Sequence, residues 1–229
     1  MIKLFTKSAV LIVLFSQACF GKELLEITNS NELNYFSQTY HLNPKPHLIP
    51  SAISYIESSG LSKNRNAKVP LLMSFSCIFS QYKGKEKEAW KSMISELSEP
   101  SKDLLNRSIS ESPSELLTSI TTSPAKNDMN WACYFATGDL KYLNNIIHTL
   151  KYLEERNDMN LFLTAASAQW SLAANSRKHM EVKVAMMAME VGDVISMRNI
   201  ATDILKKDPQ SFRDKMVTII NSQQELGVW

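Results

Sequence analysis

Apolar positions along this chain recur at steps of three and four. After Asp139, the residues Leu140, Leu143, Ile146, Ile147 and Leu150 form one stripe, and Phe212, Met216, Ile219 and Ile220 form another near the C-terminus. That spacing places them on one face of a helix, whereas strand-like alternation is hard to find. The pattern predicts helices near 49–59, 70–82, 85–98, 100–109, 113–121, 128–137, 139–153, 158–175, 178–191, 193–206 and 209–223. Helices this short do not persist alone in water, so they must pack against one another. The expected fold is all-α, an array of short antiparallel helical hairpins over residues 48–229, either α-solenoid-like or an irregular bundle.

Cap signals punctuate these runs. Pro50, Pro70, Pro100, Pro113 and Pro209 each stand just before an apolar-periodic stretch, and proline is welcome in a first helical turn. Ser112-Pro113-Ser114-Glu115 has the form of a capping box, and Asp208-Pro209 pairs an acidic cap with proline at the first helical position. Two echoes suggest repeated units. Asn127-Asp128-Met129-Asn130 recurs as Asn157-Asp158-Met159-Asn160, each read as entering a helix through its aspartate. Gly138-Asp139 recurs as Gly192-Asp193, where glycine would close one helix in the left-handed conformation and aspartate open the next. A repeat protein with a stacked binding surface is one reading; a good helix junction used twice is the other.

Residues 1–21 read as a secretory signal peptide. Lys3 and Lys7 supply a positive start, residues 9–15 a short apolar core, and Ser16-Gln17-Ala18-Cys19-Phe20-Gly21 small residues near a cut after Ala18 or Gly21. Two alternatives remain: lipidation at Cys19, where Ser16 replaces the usual large aliphatic residue, and a retained anchor. The expected location is periplasmic or secreted. Residues 22–47 read as an irregular arm with a short helix near 31–38, ending in Asn43-Pro44-Lys45-Pro46. Residues 62–68 read as a solvated loop.

Charge narrows the partners. Lys and Arg number 25 against 23 Asp and Glu, and Lys3 and Lys7 leave with the leader. A near-neutral mature chain has no electrostatic footprint for nucleic acid, and no second long apolar run predicts a membrane span. Cys77 and Cys133 sit in apolar helix-like stretches. Buried free thiols are expected there, with a bridge as the alternative that an oxidising compartment allows.

No catalytic constellation emerges, and neither a cofactor nor a metal is expected. His41, His47, His148 and His179 are dispersed without metal-ligand spacing, and His148 reads as a surface residue. Ser80/Lys83 and Ser123/Lys126 match Ser-x-x-Lys but lack the companion elements of that enzyme class. Glu154-Glu155 and Glu86/Glu88 have basic neighbours and read as solvated faces. Met180, Met186, Met187, Met189 and Met197 read as core packing before copper ligands. The enzyme alternative is a small periplasmic hydrolase or lyase drawing on His47, His179 and Asp139.

The richest stretch for recognition is residues 165–179. Small residues dominate it, Trp170 is its one large anchor, and beyond Asn175 it ends in Arg177-Lys178-His179. Trp170, Asn175, Arg177, Lys178 and His179 could receive an acidic or C-terminal peptide group. The competing account is core packing by Trp170, with cations complementing a helix C-terminus.

Three blocks resemble a known group. They are Tyr40 with Asn43-Pro44-Lys45-Pro46, Leu48-Ile49-Pro50 and Ser59-Gly60-Leu61; then Asn130-Trp131-Ala132, Phe135-Ala136-Thr137-Gly138-Asp139 and Tyr142; then Trp170-Ser171-Leu172-Ala173-Ala174-Asn175. Over roughly residues 40–205 the chain resembles a family of exported, all-helical proteobacterial proteins with no established activity. The resemblance implies export and an α-helical fold, and it carries no substrate or catalytic residue. The resulting expectation is a protein- or peptide-binding or structural factor of the bacterial envelope. A host-directed secreted factor is a further alternative.

Overall fold

The computed structural model describes residues 24–229. The expected leader over 1–21, its cut after Ala18 or Gly21, and the Cys19 lipidation site lie outside the described residues. The fold is all-α: 74 % helix and, among the described residues, no strand. The α-helices are α1 (Ser30–Thr39), α2 (Ile49–Ser59), α3 (Arg65–Phe79), α4 (Lys85–Ser95), α5 (Ser101–Ser110), α6 (Pro113–Thr118), α7 (Pro124–Thr137), α8 (Leu140–Thr149), α9 (Met159–Asn175), α10 (Met180–Glu190), α11 (Ile195–Lys206) and α12 (Pro209–Glu225). Short 3₁₀ turns occupy Pro46–Leu48, Leu61–Lys63 and Leu150–Tyr152. No helix among the described residues is long and apolar enough to cross a membrane.

The chain forms two compact units. Among the described residues, one comprises 24–119 together with Trp131–Leu140; the other comprises Ile120–Asn130 and Lys141–Trp229. In the first unit, α3 is the core. Every residue from Leu71 to Phe79 is buried, the signature of a helix surrounded on all sides. Its two buried serines differ in role: Ser76 Oγ donates to the Glu111 carbonyl at 3.1 Å, while Ser74 Oγ has no hydrogen-bond partner. From α5, Ser108 Oγ donates to the Leu72 carbonyl at 3.1 Å.

The helix expected to start at Pro70 starts five residues earlier. Asn64 caps it by accepting from the Asn66 N–H at 2.9 Å, so Pro70 lies inside α3. Proline inside a helix costs about 3 kcal/mol. Burying Leu71, Leu72, Met73, Phe75, Ile78 and Phe79 at about 1.5–3 kcal/mol each outweighs that cost. Ser62, expected to be solvated, is buried and pairs with Ser101 at 2.8 Å. In the arm, the expected short helix is α1, and its Leu33 and Phe36 are buried together with Tyr40.

Cys77 and Cys133 form a disulfide, contrary to the expectation of free thiols. Both positions are buried in apolar helix faces, as the sequence implied. Local pattern could not show that α3 and α7 bring their Cα atoms to 5.3 Å, inside the usual range for a bridge.

In the second unit, α9 is the most buried element, with Phe162, Ala165, Ala168, Leu172 and Ala173 inaccessible. Asp158 caps it as the sequence indicated, accepting from the N–H groups of Asn160 (2.9 Å) and Leu161 (3.0 Å). Buried Asn127 donates to the Thr164 carbonyl at 2.8 Å. Helix α10 packs on α11, and α12 packs on α9.

The two sequence echoes part company in the fold. Asp128 is no cap: α7 has already begun at Pro124, so Asp128 falls inside the helix, where burial pushes its carboxyl up to about 7. Gly138 adopts φ +70°, the left-handed closure expected of it. Gly192 does not have a positive φ, and α11 is capped by Val194 with Asp193 one residue too early.

Candidate functional site

The region singled out at 165–179 lies wholly in the second unit. Trp170 projects from α9 half-buried, and the Arg213 guanidinium of α12 sits over its ring, 5.9 Å from the centroid. A cation in that position is attracted by the negative face of the indole. Arg213 lies 43 positions away in sequence, and only the packing of α12 on α9 brings it here.

At the C-terminus of α9, Arg177 hydrogen-bonds two main-chain carbonyls. One belongs to Ala173, four residues back; the other belongs to Lys207, just past α11. The guanidinium thus shares the Ala173 carbonyl at the end of α9 with the Ser176 hydroxyl and ties that end to the α11–α12 junction. Arg177 is a fixed cation. Lys178 is exposed, and its main-chain N–H donates to the Asn175 carbonyl at 3.0 Å. The side chain of Asn175 is buried. His179 is half-buried and precedes α10; its N–H donates to the same Asn175 carbonyl at 2.8 Å.

Around this corner, Lys207 pairs with Asp203 at 2.7 Å, and Asp208 caps α12 by accepting from the Gln210 N–H at 2.8 Å. The nearby carboxylates therefore already serve local partners. The surface offers one aromatic face and several cations, an arrangement suited to a carboxylate carried on a chain with some apolar surface.

Residues of the enzyme alternative are placed as follows. His47 is exposed on the turn Pro46–Leu48, and Asp139 is half-buried after α7; both belong to the first unit, while His179 belongs to the second. Among the described residues, no group of three His, Cys, Asp or Glu could hold a metal ion. Ser80 Oγ donates to the Cys77 carbonyl at 2.9 Å, and Lys126 Nζ donates to the Ile120 carbonyl at 2.8 Å, so both Ser-x-x-Lys matches are bonded to main chain. The acidic pairs meet their basic neighbours on the surface, Glu88 with Lys91 at 2.8 Å and Glu154 with Arg156 at 3.1 Å.

The methionine stretch splits. Met186 is fully buried, as a core reading requires, while Met180 and Met187 are exposed. A second group was not visible as a unit in the sequence. His41 and Gln81 converge on the C-terminal end of α7, where Gln81 Nε2 donates to the Ala136 carbonyl at 3.1 Å. These contacts satisfy helix-end carbonyls and are structural in character.

Comparison with known proteins gives no match: no family model, no curated protein and no solved structure is significantly similar to the chain.

Proposed function

We propose that this protein is an exported binding factor that receives an acidic or C-terminal peptide group at the Trp170 surface. The observation that carries the reading is the half-buried Trp170 ring under the Arg213 guanidinium, on the helix that ends in the fixed Arg177 and the exposed Lys178. A peptide carboxylate would bind the cations, and an apolar side chain beside it would rest on the indole.

Export is supported by two independent features. The N-terminal pattern of Lys3, Lys7 and the apolar run at 9–15 has the order of a secretory leader. The Cys77–Cys133 disulfide suits an oxidising compartment, since structural bridges are rare where thiols are kept reduced. Periplasmic residence in a bacterial envelope is the reading that joins these to the family resemblance.

The test is fractionation of cells expressing a C-terminally tagged copy, with thiol trapping at lysis and cross-linking mass spectrometry. The expected result is a shortened, disulfide-bonded protein outside the cytosol, cross-linked to a partner peptide through Lys178. A full-length, reduced protein confined to the cytosol would overturn the proposal.

A further inference from the structure

Helix α10 presents two opposite apolar faces. Val182 and Met186 are buried where α10 packs on α9 and α11. The other face carries Met180, Val184 and Met187, and Val191 follows just past the helix end; these four are 67, 54, 50 and 80 % exposed. Steps of four, three and four are the spacing of a coiled-coil seam. Scattered exposed apolar residues need no explanation, but a contiguous stripe along a helix marks an interaction surface.

The charges beside the stripe indicate what would cover it. Lys183 and Glu190 lie on the same flank, about 70–90° from the centre of the stripe on a 3.6-residue helix. Lys183 is exposed, and Glu190 is held at the edge by a 2.8 Å hydrogen bond from Thr202 Oγ1. A two-fold axis perpendicular to α10 at its midpoint reverses the helix and keeps each flank on its own side. Met180 then meets the partner's Val191, and Val184 meets the partner's Met187. Lys183 falls beside the partner's Glu190, offset by about 3 Å along the helix axis, and the pair occurs twice by symmetry. On the other flank Glu181 faces the partner's Ala188, so no like charges are opposed. Both the spacing and the charge pattern of the face are self-complementary.

We infer that the outward face of α10 is the interface of an antiparallel homodimer, an inference that does not rest on the reading of the Trp170 surface. Helix α10 has eleven residues, so the contact is well below the size of a standard stable interface, and the dimer is weak, with Kd on the order of 10–100 µM.

The charge pairing gives a test that does not depend on damaging the fold. The variants Lys183→Glu and Glu190→Lys each oppose like charges across the axis. Mixed together, they restore opposite charges at both places. The glutamate introduced in one protomer faces the lysine introduced in the other, and the native Glu190 of the first faces the native Lys183 of the second. Sedimentation equilibrium from about 1 µM to 1 mM should show the unaltered protein dimerising. Each single variant should dimerise at least about fivefold more weakly, and their equimolar mixture should recover the original affinity as a heterodimer. Val184→Asp should be monomeric throughout, with an unchanged circular dichroism spectrum. A monomer at 1 mM, a dimer indifferent to Val184→Asp, or a mixture no tighter than its components would overturn the inference.

Discussion

His41 makes two hydrogen bonds to a single acceptor, the Phe135 carbonyl. Its main-chain N–H donates at 3.2 Å, and Nδ1 lies 2.9 Å from the same oxygen. A carbonyl can only accept, so Nδ1 carries the proton. The imidazole also lies 5.6 Å from the Tyr134 ring and rests against Gly138, where an added Cβ would stand 3.1 Å from Cδ2. Residues 94 positions apart are thereby locked at the end of α7. Gly138→Ala meets two penalties, the φ of +70° and the imidazole contact. We expect it to destabilise the protein by about 1–3 kcal/mol. Adding His41→Ala should relieve the contact but not the backbone strain. Urea denaturation of the four proteins should therefore show coupling between the two sites, with the double variant less destabilised than the sum.

The disulfide closes a loop with a sequence separation of 56. Loop-closure entropy for that length is about 4 kcal/mol. Replacing both Cys77 and Cys133 by serine should lower the melting temperature by roughly 10 °C. Reducing agent should have a similar effect on the unaltered protein and none on the double variant. Calorimetry with and without reductant checks both statements.

Asp128 makes stability depend on pH with an unusual sign. Burial raises its folded carboxyl pKa to about 7, well above the unfolded value near 4. Between those values the folded protein binds more protons than the unfolded chain, so stability falls as pH rises from about 4 to about 7 and then levels off. Asp128→Asn removes this term and should stabilise the protein at pH 7 and above by on the order of 1 kcal/mol. Glu111 acts in the opposite direction. The Arg107 guanidinium hydrogen-bonds it and holds its carboxyl below the usual range, so its contribution is present above about pH 4 and is lost on acidification. Thermal melts from pH 3 to 9 of both Asp128 forms separate the two contributions.

Arg177 and Lys178 are adjacent cations with different roles. Arg177→Ala leaves the carbonyls of Ala173 and Lys207 without its N–H groups and should cost about 1–2 kcal/mol of stability. Arg177→Lys should recover only part of that loss, because one ammonium does not reproduce the planar fork. Lys178→Ala, at an exposed position, should leave stability within about 0.5 kcal/mol. Chemical denaturation of the three variants measures the difference.

What was legible in the sequence was what is local. The capping box at Ser112 and Glu115, the Asp208-Pro209 start of α12 and the Leu143–Ile146–Leu150 stripe each depend on residues within a turn or two, and each is present in the fold. Local resemblance also misled. Asn127-Asp128 and Asn157-Asp158 share the same letters, yet Ser123-Pro124 starts α7 one turn before the first pair, while Asp158 is itself the cap. Gly138 and Gly192 differ in backbone because only the first closes its helix in the left-handed conformation. The bridge, the His41 contact with Phe135 and the placement of Arg213 over Trp170 are long-range pairings, 56, 94 and 43 residues apart, which no periodicity encodes. Of the candidate surface, the sequence held Trp170 and the cations that follow it; the position of α12 supplied the rest.

Trp170 and its cations are proposed above all as a receptor for a peptide carboxylate. Isothermal titration of the oxidised protein against a displayed-peptide pool enriched for binding, compared with the same peptides amidated at their C-termini and lacking Asp and Glu, tests this most directly. The expected result is saturable binding that the neutral peptides lack, that weakens at least about tenfold in Trp170→Ala and in Arg213→Ala, and that falls with added salt. Peptides that bind equally well with and without their negative charges, or that bind Trp170→Ala as tightly as the unaltered protein, would contradict it.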